Sequence, residues 1–215
     1  TVDFSVEYSD DIFNIDGQTE KKECARVIKH LDRIRALAGI SQKAKVVSKN
    51  GFPSKTGLSS SASGFAALTV AGAVAAGLEL SEKEMAILAR QGSGSACRSI
   101  PDGFCEWRDG DTSEESFAES VFPVDHWDIC DIVAVVSTGV KDVSTTKGHT
   151  FAGTSVFYEK RLSHMKDKIA KVKELLAQKE FTPLGEFIEA EALELHAIMI
   201  TSIPSLIYLQ PGSLT

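Results

Sequence analysis

Cysteine is scarce in this sequence, with four among 215 residues, at Cys24, Cys97, Cys105 and Cys130. Neither the paired spacing of a metal site nor the density of a secreted disulfide scaffold is present, which predicts reduced thiols in a cytoplasmic protein. Long apolar runs are missing too. No stretch approaches the roughly 20 residues needed to span a bilayer, and the most apolar region, from Phe65 to Leu80, is rich in Ala and Gly and follows a polar loop, as a buried helix would. The N-terminus has no signal-peptide pattern. Basic residues are in deficit, with 23 Lys and Arg against 30 Asp and Glu, a formal charge of -7. Without a Lys/Arg run, a general nucleic-acid surface is excluded, because such surfaces bind by neutralising phosphates. A small anionic substrate stays possible, since a few cations and backbone amides can hold it locally.

What is present is an ordinary globular mixture, 43% hydrophobic and 25% charged, sufficient for one large domain or two small ones. Val2 to Tyr8 and Asp11 to Ile15 alternate apolar and polar residues around Ser9-Asp10, which predicts a hairpin. Gln18 to Ala38 carries Ile28, Leu31, Ile34 and Leu37 at helical spacing and meets a stop at Gly39. Ala44 to Ser48 reads as a strand, and a polar loop from Lys49 to Thr56 leads to a helix running from Ser59 or Ser60 to Ala76. Ser81 and Glu84 form a capping box for a helix through Arg90. A helical turn around Ala96 to Ser99 and a strand from Gly103 to Arg108 follow. A second unit is expected near Asp128, opening on an apolar strand from Ile129 to Ser137. Two amphipathic helices are marked by Leu162, Met165, Ile169, Val172 and Leu175, and by Leu184 to Ile200. The pattern is that of an α+β protein.

Two segments bear on chemistry. In Lys55-Thr56-Gly57-Leu58-Ser59-Ser60-Ser61-Ala62-Ser63-Gly64, a glycine and four serines stand where a loop feeds a helix. Free amides and the positive end of the helix dipole suit phosphate there, and serine hydroxyls add donors or a magnesium ligand. The order is not that of a Walker A loop, which ends in Gly-Lys-[Ser/Thr], and an ordinary serine cap on an Ala-rich helix explains the same residues. In Arg90-Gln91-Gly92-Ser93-Gly94-Ser95-Ala96-Cys97-Arg98-Ser99, Arg98 offers a planar fork for a carboxylate or phosphate. A surface salt bridge and a flexible interhelical link are the competing readings.

The run from Phe52-Pro53-Ser54-Lys55-Thr56-Gly57-Leu58 through Ser61-Ala62-Ser63-Gly64-Phe65-Ala66-Ala67-Leu68 resembles the nucleotide loop and following helix of the mevalonate diphosphate decarboxylases. Its Pro-x-x-x-Gly-Leu-x-Ser-Ser core is shared with the wider GHMP kinase superfamily, and the Arg90 to Ser99 run is similar to a signature of the decarboxylase branch. Gly103-Phe104-Cys105-Glu106-Trp107 continues the pattern, while Pro101-Asp102 departs from the usual pair before that glycine. Lys141-Asp142-Val143-Ser144-Thr145-Thr146-Lys147-Gly148-His149 resembles a further family loop. Its hydroxyls equally suit a turn and helix start. His196 and Pro204 to Tyr208 also match, but Glu191-Ala192-Leu193 replaces the family's Asp-Ser-Asn, and His196 reads as a packed helix histidine.

The resemblance covers essentially the whole chain. It implies a two-domain fold, with an N-terminal part like ribosomal protein S5 domain 2 over residues 1–125 and a ferredoxin-like α/β part from 126 to 215. It implies ATP and Mg2+ held by Gly57, Leu58, Ser59, Ser60, Ser61 and Ser63, with Ser60 as the magnesium ligand. Substrate mevalonate 5-diphosphate would meet Ser93, Gly94, Ser95, Arg98 and Thr145, with Arg98 at its carboxylate. The implied reaction is ATP-dependent decarboxylation to isopentenyl diphosphate with release of ADP, phosphate and CO2, by a cytoplasmic homodimer. The same fold also admits a phosphomevalonate decarboxylase or a mevalonate 3-kinase, and from another class a non-catalytic nucleotide-binding homologue. The chain opens on Thr1 without Met and closes after Gln210-Pro211-Gly212, so truncation at both ends is expected. The family's Lys-Tyr-Trp-Gly segment would precede Thr1. Its catalytic Asp, in an Asp-Ala-Gly-Pro-Asn motif, would follow Thr215, so the chain alone is expected not to complete catalysis.

Overall fold

Asp11 is a carboxylate in a place where sequence patterning puts a strand, and burying it decides how the first sheet is built. The computed structural model describes residues 1–17, 19, 24–52, 59–134 and 145–213, and of residues 145–147 the backbone alone. Asp11 Oδ1 accepts from the amide of Ala44 at 2.8 Å and from Arg35 Nη2. Arg35 in turn donates through Nε to the Gln42 carbonyl at 2.9 Å and through Nη1 to Asp32 at 2.7 Å. The start of β2 (Ile12–Ile15) is thereby fastened to β3 (Lys43–Ser48), with which it pairs in parallel. The other edge of β3 pairs antiparallel with β1 (Val2–Ser5), giving the order β1-β3-β2. The expected hairpin between the first two strands is therefore not formed. β3 lies between them because the buried Asp11 takes its partners from the far end of the β2–helix–β3 crossover.

That crossover is α1 (Ala25–Ala38), which buries His30, Leu31, Ile34 and Arg35 and ends on Gly39 in the left-handed conformation, φ 65°. Its start is later than the expected Gln18. Residues 18 and 20–23 lie outside the described ones. β3 alternates as a half-buried strand should, with Ala44 and Val46 inside. Helix α2 (Ser60–Ala75) packs on the same core, where Phe13, Leu31, Ala44, Val46, Phe65, Ala66, Leu68, Ala89 and Ala96 meet. Its Ala and Gly content has a steric purpose. A Cβ at Gly72 would come within 2.6 Å of Ile34 Cδ1, so a larger residue there would force the Ile34 methyl to move where α1 and α2 meet.

Helix α3 (Glu82–Gly92) begins with the expected capping box. The Glu84 amide donates to Ser81 Oγ at 3.3 Å, and the Ser81 amide donates to Glu84 Oε2 at 2.8 Å. A 3-10 helix (Gly94–Ser99) follows at once, then β4 (Phe104–Trp107). β4 pairs antiparallel with β5 (Ala118–Phe122), a strand not expected from the sequence.

The chain divides into two compact units, Thr1–Asp128 and Ile129–Thr215. In the second, among the described residues, α4 (Thr145–Ala152), α5 (Tyr158–Gln178) and α6 (Phe181–Thr201) account for the regular structure apart from a short 3-10 turn at Pro211–Ser213. α5 and α6 are joined through Lys179 at φ 56° and tied by a four-member ion network. Arg161 pairs with Glu191 at 3.0 Å and Glu194 at 2.9 Å, and Lys168 pairs with Glu191 at 2.5 Å and with Glu194. Glu191 is thus a structural partner of α5. The strand expected over Ile129 to Ser137 is not formed across Ile129 to Ala134, where Ile132 and Val133 are exposed. Residues 135–137 lie outside the described ones. A strand needs a neighbour for its backbone groups, and among the described residues the second unit offers none.

Two outcomes follow from the buried polar groups of the first unit. Arg35→Met leaves Asp11 buried without its cation and should lower unfolding free energy by about 3–5 kcal/mol. Asp32→Asn, at the exposed end of the same arginine, should cost under about 1 kcal/mol. Urea titrations of the two variants check this. His30, fully buried on α1, has its pKa lowered from 6.5 to about 4 by burial and by Arg33. The folded state therefore binds the proton less well than the unfolded chain, and the stability held above pH 6.5 is lost as the pH falls toward 4. The stability of wild type relative to His30→Phe should fall by on the order of 3 kcal/mol between pH 7 and pH 4, measured by chemical unfolding at each pH.

Candidate functional site

Helix α2 begins under strain. Ser59, its N-cap, sits at φ 55° and ψ 35°, a left-handed conformation that costs a non-glycine residue roughly 1–2 kcal/mol. Its side chain makes no capping hydrogen bond, so the plain serine-cap explanation of this run fails at Ser59. The hydroxyl run is on the outside of the unit. Ser59, Ser61 and Ser63 are exposed, Ser60 is half-buried, and Ala62 and Phe65 turn into the core. Ser63 Oγ is turned back onto the Ser60 carbonyl at 3.2 Å, leaving Ser60 and Ser61 as the hydroxyls at the helix mouth. Gly57 and Leu58 lie outside the described residues.

The second motif meets the first. Ser61 Oγ and Ser93 Oγ lie 3.4 Å apart although 32 residues separate them in sequence. Ser93 is the shared hinge of α3 and the 3-10 helix, extended at φ -153° and ψ 126°. The short helix is anchored from below by Ala96 and Cys97, both fully buried, with Cys97 Sγ donating to the Gly94 carbonyl at 3.1 Å. Burial pushes the Cys97 thiol above its ordinary value against the pull of Arg98 and Arg90, so it is packed as a hydrophobe and not poised as a nucleophile. Ser95 and Arg98 project from this anchored turn, half-buried and exposed respectively.

Arg98 settles one of the competing readings. Among the described residues it forms no ion pair with a carboxylate, so its charge is not consumed by a structural salt bridge. Its guanidinium lies 5.6 Å from the ring centroid of Trp107 on β4, a stacking contact open to arginine more than lysine. The indole also stands where a Cβ at Gly94 would approach to 3.2 Å, and its Nε1 donates to Ser116 Oγ at 3.0 Å. Trp107 therefore fixes both the turn and the arginine. Sequence reading quoted it as part of a pattern without giving it this role. Thr145 begins α4 in the second unit, with only its backbone described.

The first unit offers neutral hydroxyls at a helix N-terminus, the Ser93 hydroxyl beside them, and, on the turn that follows Ser93, a guanidinium that pairs with no carboxylate among the described residues. This set fits a phosphate-bearing ligand, which takes hydrogen bonds from amides and hydroxyls and charge from arginine. Among the described residues no group of three or more His, Cys, Asp or Glu could hold a metal by itself. A hydroxyl beside phosphate oxygens is the kind of site magnesium accepts, since it keeps most of its ligands from water and phosphate.

The chain matches two family models, the diphosphomevalonate decarboxylase-like N-terminal domain over residues 1–118 and the mevalonate 5-diphosphate decarboxylase C-terminal domain over residues 131–215. A diphosphomevalonate decarboxylase of Aspergillus fumigatus is 38% identical over 174 residues, covering 79% of this chain and 43% of that protein. A phosphomevalonate decarboxylase of Haloferax volcanii is 32% identical over 215 residues, 100% of this chain and 65% of that protein. A solved structure described as MDDEF in complex with MVAPP, AMPPCP and magnesium superposes with a TM-score of 0.87 at 40% identity, covering 98% of this chain and 65% of that one. The chain thus spans between about two fifths and two thirds of the length of these relatives.

The left-handed N-cap supplies a prediction. Ser59→Gly removes the Cβ clash and should stabilise the unit by up to about 1 kcal/mol, whereas Ser59→Val should destabilise it, as read by denaturant midpoints. Equal midpoints for both variants would mean that Ser59 carries no such strain.

Proposed function

The chain belongs to the diphosphomevalonate decarboxylase family, and from that membership we propose that it supplies the nucleotide and substrate sites of an ATP-dependent decarboxylase acting on mevalonate 5-diphosphate. The observation that carries the reading is the meeting of the serine helix and the Gly-Ser turn at Ser61 and Ser93. Two motifs far apart in sequence form one patch of phosphate donors, where a nucleotide-sensing module would need only one.

In this reading the ATP phosphates lie at the mouth of α2, against Gly57, Leu58, Ser59, Ser60, Ser61 and Ser63, with Ser60 as the magnesium ligand. Magnesium, when bound, offsets charge on the transferring phosphate oxygens. Ser93, Gly94 and Ser95 hold the substrate diphosphate, and a substrate role for Thr145 is carried over from the family resemblance alone. Arg98 grips the substrate carboxylate and orients it, so that phosphorylation of the tertiary hydroxyl is followed by loss of phosphate and CO2 to give isopentenyl diphosphate. The fork fixes the carboxylate in direction, which is a positioning task. The nucleotide-binding part is assigned to residues 1–125 and the second part to 126–215. Free thiols at all four cysteines support a reducing, cytoplasmic setting, and a homodimer is carried over from the family resemblance.

A second reading changes only the substrate. The Haloferax volcanii relative aligns along the whole chain, and its identity as a phosphomevalonate decarboxylase supports mevalonate 5-phosphate in place of the diphosphate. The deciding experiment uses the protein at the length of its relatives with ATP and, separately, mevalonate, its 5-phosphate and its 5-diphosphate, following CO2 and ADP independently. The main reading expects both products from the diphosphate alone. CO2 from the monophosphate would move the assignment to the second reading, and ADP without CO2 would make the protein a kinase.

Two substitutions test the roles. Ser60→Ala with Ser61→Ala should weaken MgATP binding by about 1–3 kcal/mol, seen by calorimetry on a folded protein. Arg98→Lys keeps the charge and loses the fork, and should reduce turnover by about a hundredfold with little change in melting temperature. Near-normal turnover would remove Arg98 from the substrate.

A further inference from the structure

His30 touches neither serine of the site, yet it contacts both elements that carry them. Its Nε2 lies 2.8 Å from Thr69 Oγ1 on α2. The Thr69 hydroxyl gives its one proton to the Phe65 carbonyl at 2.7 Å, so Nε2 must be the donor and the imidazole proton is fixed there. Nδ1 is consequently a bare lone pair, and it is buried without a hydrogen-bond partner. It faces Gly92, the last residue of α3. A Cβ at Gly92 would come within 2.9 Å of Nδ1 and closer still to the Phe65 ring. The His30 ring stands edge-on to Phe65, with centroids 5.5 Å apart at 85°. From the other side Arg26 Nη2 donates to the Gly92 carbonyl at 2.9 Å while its guanidinium covers the Phe65 ring at 4.9 Å. Gly92 is followed directly by Ser93.

We propose that His30 is a positioning residue for the phosphate site: bonded to Thr69 and wedged against Gly92, it sets the register of the Gly92–Ser93 junction on α2, and with it the spacing of the Ser61 and Ser93 hydroxyls. The argument is geometric. A junction whose backbone abuts two rings has one seat, and the Thr69 bond fixes where those rings stand relative to α2. A filler of the same volume without the donor lets the ring slide along α2 and the junction follows. This explains why a polar ring with one unsatisfied nitrogen occupies the core where Phe or Leu would pack at lower cost. The proposal rests on the reading of Ser61 and Ser93 as one phosphate site, and the test separates the two.

The experiment compares wild type, His30→Phe, His30→Gln and Gly92→Ala, each made at the full length of the relatives. Without ligand, amide hydrogen exchange of Ser93 to Cys97 is measured, and with ATP, Mg2+ and mevalonate 5-diphosphate, KM and kcat are measured separately. His30→Phe, which keeps a ring and loses the donor, and Gly92→Ala, which displaces the junction, should each speed exchange of these amides about tenfold. Both should raise KM for ATP about tenfold with kcat changed less than about threefold. His30→Gln, whose amide still reaches Thr69, should return both quantities most of the way. Wild-type exchange and KM in His30→Phe, or in Gly92→Ala if the former fails to fold, overturn the proposal and make His30 a core filler. If wild type neither binds nor turns over ATP, the functional reading fails, while the exchange pattern still decides whether His30 seats the junction.

Discussion

The site depends on one close approach, that of the α3 end to the side of α2, and this approach exists because Gly92 has no side chain. Phe65 and His30 occupy the space a Cβ would need. Bringing the backbone so near places Ser93 beside Ser61, and the 3-10 helix that follows is then held by buried Ala96 and Cys97. Every donor in the patch is placed by the interior of the first unit. The sheet supports α1, α1 supplies His30 and Ile34, and these define how α2 and α3 lie. A surface that looks like two loops is the outer face of a packed core.

The electrostatic logic runs the same way. With a formal charge of -7, the chain does not draw anions by its overall field, and the donors at the helix mouth are neutral. In the proposed site, directed hydroxyls, a helix N-terminus and one arginine would do locally what a basic surface does diffusely. In the proposed site Arg98 can serve because it rests near the Trp107 ring and pairs with no carboxylate among the described residues. Arg35, by contrast, is wholly engaged by Asp11, Asp32 and Gln42. The two arginines differ in partners, and that difference supports the binding role proposed for Arg98 beside the structural one of Arg35.

Much of this was legible in the sequence, and the failures share a cause. The helices announced themselves by periodicity and caps, as Gly39, Ser81 and Glu84 show, because those signals are local. The order β1-β3-β2 was not legible, since it turns on Asp11 meeting Ala44 and Arg35 across the fold. β5 was hidden for the same reason: Ala118 to Phe122 is a strand only because β4 pairs with it. The apolar run at Ile129 to Ala134 had the composition of a strand and among the described residues no neighbour to complete it. The residues of the site were visible as motifs, through Ser59 to Ser63 and Ser93 to Arg98. Their joining at Ser61 and Ser93 was not, and neither were His30, Arg26 and Trp107 as supports, because a lone His on a helix reads as any core position.

The central claim is that the two motifs act on bound phosphates as one site. A double-mutant cycle of Ser61→Ala and Ser93→Ala, read as kcat/KM for ATP at the full length of the relatives, tests it most directly. The account predicts non-additivity, with a coupling free energy of about 0.5–3 kcal/mol between the two hydroxyls. Effects that add to within about 0.3–0.5 kcal/mol would contradict it, and the serine helix and the Gly-Ser turn would then be two separate features that happen to touch.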